Sequence, residues 1–318
     1  MRLSILILAH KNVTQLCRLI KKLNHPLVDI FLHLDKKFKI SESELHELQT
    51  SSDRVQIIPY RYSVNIVDSS VTKCILRCTK YIIDKQCITN EAAYLALISG
   101  QDYLIKPIAS LIDYLNDNYP KPFIDCTPYH PSNWVFHKFC HTPFYGKFYG
   151  SVYQKKGISG KIGRHTVRLI DSCLKKIQPD MFSRLQRYNI KLFGGSQWWI
   201  LPISMVQEIL DITTSHREMV DNLFNCIPDE IYFQTIGMQT SFSDKIDINP
   251  YEQVSQNSLT FAAFTAPGRN FCGHPHIMLK KDWDWLKNQP QYIARKFDMD
   301  IDNEIFDVID NAHLNKLS

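Results

Sequence analysis

The amino-terminal third of the chain alternates short apolar runs with apolar residues at helical spacing, and few architectures accept that alternation. Leu3 to Ala9 is an apolar run, after which Leu16, Cys17, Leu19, Ile20 and Leu23 recur at the three-and-four spacing of a helix. Asp29 to Asp35 and Arg54 to Ile58 repeat the strand signal. Val71 to Ile83 reads as a helix, and Tyr94 to Ile98 as a strand that breaks at Ser99-Gly100-Gln101-Asp102. A strand covered on both faces needs apolar residues at consecutive positions, so the pattern predicts an α/β fold with a mostly parallel central sheet flanked by helices. Ligands of such sheets sit beyond the carboxyl ends of the strands, where Ala9, His10, Asp35, Arg61 and Asp102 fall.

At 318 residues, 44% apolar and 22% charged, the chain can bury a large core. Its net charge of +5 is spread over short pairs such as Lys21-Lys22 and Lys280-Lys281, which excludes a nucleic-acid tract and leaves a weak attraction to phosphates or an anionic membrane. Nine cysteines, an odd number without C-x-x-C spacing, read as reduced buried thiols rather than a disulfide or zinc framework. Met1 to His10 imitates a secretory signal, but its apolar run is short and lacks a small-x-small cleavage site, so it is expected to be a buried first strand. No stretch approaches the roughly 20 apolar residues of a membrane span.

From Pro120 to Gly163 the character changes to Pro, His and aromatic residues, as in Phe144 to Tyr149, which predicts a substrate-binding lobe. Helical signals return at Thr166 to Ile177, Pro202 to Ile212 and Asp229 to Ile236. Leu259 to Phe264 and His276 to Leu279 read as strands.

Two motifs carry chemistry. Gly194-Gly195-Ser196-Gln197-Trp198-Trp199 sets paired tryptophans behind a glycine pair, and an indole packs well on the C–H face of a pyranose. Gln197, Trp198 and Trp199 are therefore candidate acceptor contacts, with one indole expected to face the core. Pro228-Asp229-Glu230 opens an apolar stretch, which suits Glu230 as a desolvated general base with Asp229 beside it. The plain readings are a tight turn, core tryptophans and an ordinary helix start. Asp298-Met299-Asp300-Ile301-Asp302 carries Asp-x-Asp twice, a pattern that can hold a hard divalent cation. It directly follows the basic pair Arg295-Lys296, and a metal beside these cations would duplicate charge compensation, so no metal is expected. His274-Pro275-His276 reads as structural. For His10, Asp35 and Asp102 the alternative is a strand-end polar group satisfied by loop amides.

Leu8-Ala9-His10-Lys11, His33-Leu34-Asp35-Lys36, Ile98 to Lys106, Gly195 to Trp199, Pro228-Asp229-Glu230 and Ala294 to Asp298 together resemble, in order and over nearly the whole chain, the core-2/I-branching β-1,6-N-acetylglucosaminyltransferase family, which also contains the peptide O-xylosyltransferases. The resemblance implies a GT-A-like nucleotide-sugar-binding fold, a UDP-sugar donor, inversion at the anomeric carbon and a diphosphate held by basic side chains without a divalent metal. It carries Glu230 over as the base, Asp229 as its neighbour and Lys296 as a diphosphate ligand. The family's second diphosphate cation is an upstream arginine. The position of equal spacing falls near Gly273, so Arg269 is the nearest candidate, with Arg295 as the alternative. Arg61 matches a family arginine, but Ile66 to Ser70 lacks the Trp that often follows it.

The reading is one glycosyltransferase domain over 1–318: a nucleotide-binding half at 1–115, an acceptor-binding half with the base at 116–250, and a segment at 251–318 closing the diphosphate site. It expects a bacterial, cytoplasmic enzyme, peripheral at the inner membrane face, moving N-acetylglucosamine to a glycan or lipid-linked glycan of a surface polysaccharide or lipopolysaccharide. The alternatives are a xylosyltransferase of the same family and a non-catalytic carbohydrate-binding protein on the same fold. A nucleotide-dependent oxidoreductase would want Gly-x-Gly-x-x-Gly after the first strand, where Ala9-His10-Lys11-Asn12 stands.

Overall fold

The computed structural model describes residues 1–65, 69–85, 93–130, 157–177, 181–224, 228–250 and 257–314. Strand β1 (Arg2–Ala9) pairs in parallel with β2 (Val28–Leu34) on one side and β4 (Ala93–Ser99) on the other, and β3 (Val55–Ile57) adds in parallel beyond β2. β9 (Trp199–Pro202) runs antiparallel to β4, and β6 (Phe123–Ile124) runs antiparallel to β9. The resulting order is β3-β2-β1-β4-β9-β6.

The apolar run of β1, interrupted only by Ser4, is explained by cores on both faces of this sheet. Leu3, Ile5 and Ile7 join one core with Tyr94, Ala96 and Ile98 of β4, while Leu6 joins the other with Leu95 and Leu97. Helices α1 (Val13–Leu23) and Glu304–Leu314 pack into the first core. Helices α3 (Ser70–Lys85) and Ile203–Ser215 pack into the second. This is the GT-A-like α/β layering that the sequence implies, and β1 is the buried strand expected of the amino terminus. None of the described helices is long and apolar enough to cross a membrane.

A second sheet joins β10 (Thr260–Ala262), β11 (Ile293–Arg295) and β5 (Asp102–Leu104), with β11 parallel to β10 and antiparallel to β5. It ties the carboxyl-terminal residues to the end of β4.

Several elements depart from the sequence reading. His276 to Leu279 is not a strand, because its amides bond irregularly: His276 N–H donates to the Ala263 carbonyl and Met278 N–H to that of Lys296, both at 2.8 Å. The helix expected from Thr166 begins at Ile158. The one expected at Asp229 to Ile236 is a 3-10 turn, Pro228–Glu230, and a separate helix, Tyr232–Gly237. Helix α2 (Glu42–Thr50) gave no periodic signal because it buries only Leu48; a capping box between Ser41 and Glu44 starts it. The aromatic segment Phe144 to Tyr149 lies outside the described residues.

Candidate active site

Parallel pairing brings the carboxyl ends of β1, β2 and β4 to one edge, and so places Ala9, His10, Asp35 and the Gly100–Asp102 turn together. β9 runs the other way, so its entry, Gly195 to Trp198, reaches the same edge. The segment after β11 is laced across these strand ends. Phe297 N–H donates to the Gln101 carbonyl at 2.8 Å, and the Gln15 side chain donates to the Gly100 carbonyl at 2.8 Å while accepting the Met299 N–H at 3.0 Å.

Cross-strand register sets Arg295 opposite Asp102, and the two side chains approach to 3.5 Å, with Asp102 fully buried. The guanidinium of Arg295 lies 4.0 Å from the centroid of the Trp198 ring, a cation–π stack. Burial lowers the Arg295 pKa against the opposing pull of Asp102 and then Glu230. Burial likewise raises that of Asp102 although Arg295, the Ser99 amide and Lys296 oppose it. Desolvation thus outweighs the attraction within this loose buried pair. Next to it, the Lys296 ammonium is half-buried, and its pKa is lowered first by burial and then by Arg295 and Lys11, with Asp298 and Asp102 opposing. Lys296 and Lys11 also help burial to lower the pKa of His10, with Asp35 opposing. Crowded cations of this kind are eased by a bound anion.

Glu230 reaches the edge through the glycine pair. Gly195 N–H donates to the Glu230 carbonyl at 2.9 Å, and a Cβ built on Gly195 would stand 2.0 Å from the Asp125 carbonyl oxygen, so only glycine fits between them. Gln234 secures the same turn by donating to the Ser196 carbonyl at 2.7 Å. The Glu230 side chain is half-buried and close enough to Arg295 to raise its pKa; Asp229 and Gln197 are half-buried beside the turn.

Residues 125–287, just over half of the chain, match the family model of the Core-2/I-Branching enzyme. The chain belongs to that family. It is therefore an enzyme of a glycosyltransferase family. Xylosyltransferase 2 of Rattus norvegicus is similar to it at 22% identity over 330 residues, covering 97% of this chain and 33% of the relative. Xylosyltransferase 2 of Homo sapiens is 21% identical over 329 residues with the same coverage. The chain spans about a third of the length of the curated relatives it matches.

Not every residue singled out from sequence stands open to a ligand in this family member. Trp199 is completely buried, 5.1 Å from the Phe233 ring, and has no free face for a sugar; both indoles join the same core, where only one was expected to. Trp198, also buried, gives one face to Arg295 rather than to solvent. Arg269 is held by the buried Asp282 and donates to the Ile277 carbonyl at 2.7 Å, so its guanidinium is already engaged by protein groups. Arg61 donates to the carbonyls of Asp35 and Phe38, and Asp35 accepts the amides of Lys37 and Val64 at 2.7 and 3.0 Å. Both brace the loop beyond β2, which is the bland alternative named for Asp35. Lys11, part of the first matching motif, was not assigned a role from sequence; it bonds Asp298 and borders Lys296.

Two groups of side chains bear on metal binding. In the Asp-x-Asp run, Asp298 pairs with Lys11, Asp300 accepts from Asn12 at 3.0 Å, and Asp302 accepts the Lys280 and Ile305 amides at 2.9 and 3.0 Å. These carboxylates have partners from three different segments, which does not fit a shared hard cation. Buried His33, Cys74 and Cys78 place their ligand atoms within 4.8 Å of one another. There the Tyr62 N–H donates to His33 Nε2 at 3.1 Å, so the lone pair a metal would need already serves the backbone.

Proposed function

We propose that this branching-family enzyme transfers a sugar from a UDP-sugar to a glycan hydroxyl with inversion at the anomeric carbon. Glu230 takes the proton of the attacking acceptor hydroxyl as the acceptor oxygen bonds to the anomeric carbon. The bond from that carbon to the diphosphate breaks on the opposite face, and the electron pair leaves on the UDP oxygen. Lys296 and Arg295 meet the charge that develops there, where fixed cations act without a metal. The observation that supports this most is the single edge on which β9, the Glu230 turn and the Arg295–Lys296 segment converge: a carboxylate stands beside crowded cations.

The donor sugar is N-acetylglucosamine in the reading that follows the family's branching enzymes. Xylose is the second reading, favoured by the name of the relatives, Xylosyltransferase 2. The acceptor is a glycan or lipid-linked glycan of a surface polysaccharide, met at the cytoplasmic face of a membrane. A cleft of about 250 Å³ lined by Tyr129, Asn189, Lys191 and Phe193 lies one strand before Gly195 and is a further place for acceptor contacts.

Glu230→Gln keeps the shape but cannot accept the proton. It is expected to lower turnover about 10²- to 10⁴-fold while UDP affinity stays within a few-fold. Turnover above a third of wild type would move the base elsewhere. EDTA is expected to leave the rate unchanged, and loss of activity restored by Mn²⁺ would reassign the diphosphate site to Asp298 and Asp300.

A further inference from the structure

We infer that the helix Ile158–Ile177 is a membrane-surface anchor that docks on anionic lipid headgroups. The inference rests on the reading of a membrane-presented acceptor and names the element that meets the membrane.

At 100° per residue, Ile158, Ile162, Leu169 and Cys173 fall within about 60° of one another along the helix. This stripe is turned away from the protein: Ile158, Ile162 and Leu169 are 77%, 63% and 65% exposed, while Gly160 and Val167 on the opposite side are buried. Ile170, at the margin of the stripe, is 41% exposed. Three large aliphatic side chains on one free helix face are costly to hydrate, and isolated surface residues do not align in this way.

Charge selects the occupant. The helix carries Lys161, Arg164, Arg168, Lys175 and Lys176 against the single acid Asp171. Lys161 and Arg168, both exposed, flank the apolar stripe on one side, and His165 lies along it. An apolar stripe bordered by cations is the pattern of a helix lying in the headgroup layer, its aliphatic side chains entering the acyl boundary and its cations meeting phosphates. A twenty-residue helix is about 30 Å long, but with this many charges it lies along the surface rather than crossing. The net charge of +5 acts in the same sense. A second copy of the chain would bring the same cations against one another, which disfavours self-association through this face.

Co-sedimentation of the whole protein with phosphatidylcholine vesicles, with and without phosphatidylglycerol, tests the anchor. Wild type is expected to sediment with the anionic vesicles, less so as NaCl is raised, and to remain largely in solution with phosphatidylcholine alone. Each basic side chain at such a surface is worth about fivefold in binding, so K161E/R168E should bind more than tenfold more weakly. I162D/L169D changes only exposed positions; it should lose vesicle binding to a similar extent and keep wild-type circular dichroism. Wild type that stays in solution with anionic vesicles overturns the inference. So does equal sedimentation of wild type and I162D/L169D, or a wild-type dimer that I162D/L169D dissociates while vesicle binding is untouched. Vesicle binding without sugar transfer would leave the anchor standing and remove the transferase reading, and transfer to a soluble acceptor without vesicle binding would do the reverse.

Discussion

Lys296 concentrates the electrostatics of the edge in one side chain. Burial, Arg295 and Lys11 all favour its neutral amine, and the diphosphate proposed to bind there would favour the ammonium. The pKa is depressed, so attraction for UDP is complete below the shifted value and is lost as pH rises through it, before the 10.5 of an ordinary lysine. Calorimetric titration of UDP across alkaline pH should show that decline, and Lys296→Arg should remove it because guanidinium stays charged. Lys296→Ala should weaken UDP binding about 10- to 150-fold, the worth of one charge-assisted contact, and lower kcat as well. Wild-type UDP affinity in that variant would take the residue out of the donor site. Arg295→Ala should act differently: its guanidinium is stacked under Trp198 and faces Asp102, so its loss leaves a buried carboxylate without its cation and should lower thermal stability along with turnover.

At the scale of elements, the site depends on one close approach. The glycine pair between β8 (Phe193–Gly194) and β9 lets the Asp125 backbone touch Gly195, and the Gly195 amide then fixes the Glu230 carbonyl. Gly195→Ala sets a methyl group against backbone that cannot yield as a side-chain end can. The turn should shift, displace Glu230 and reduce turnover at least tenfold with UDP affinity near wild type, since a small misplacement of a catalytic group is costly. If UDP binding fell and turnover per bound donor did not, the turn would belong to the donor side. The paired glycines were visible in the sequence; their neighbour, Asp125, lies 70 positions away and was not.

Across the whole molecule, the helix Glu304–Leu314 supports the Arg295–Lys296 segment, the proposed diphosphate site, from behind. Phe306 is completely buried, with its ring 4.8 Å from that of Tyr103 and 5.6 Å from that of Phe297, the residue after Lys296. Phe306→Ala should cost about 3–5 kcal/mol in stability and lower Tm by several degrees. UDP affinity should fall with it, and unchanged affinity would separate this core from the site. The sequence by itself determined the layered α/β plan, because strands covered on both faces require consecutive apolar residues and amphipathic helices a three-and-four repeat. It also carried the family motifs, since chemistry demands particular side chains at short spacing. Tertiary structure alone decided that both tryptophans are core and that Trp198 stacks on Arg295, why Arg269 is bound up with Asp282, and that Lys11 borders Lys296. Those outcomes depend on pairing register and on contacts between residues far apart in the chain, and a periodicity read along one strand or helix contains no information about either.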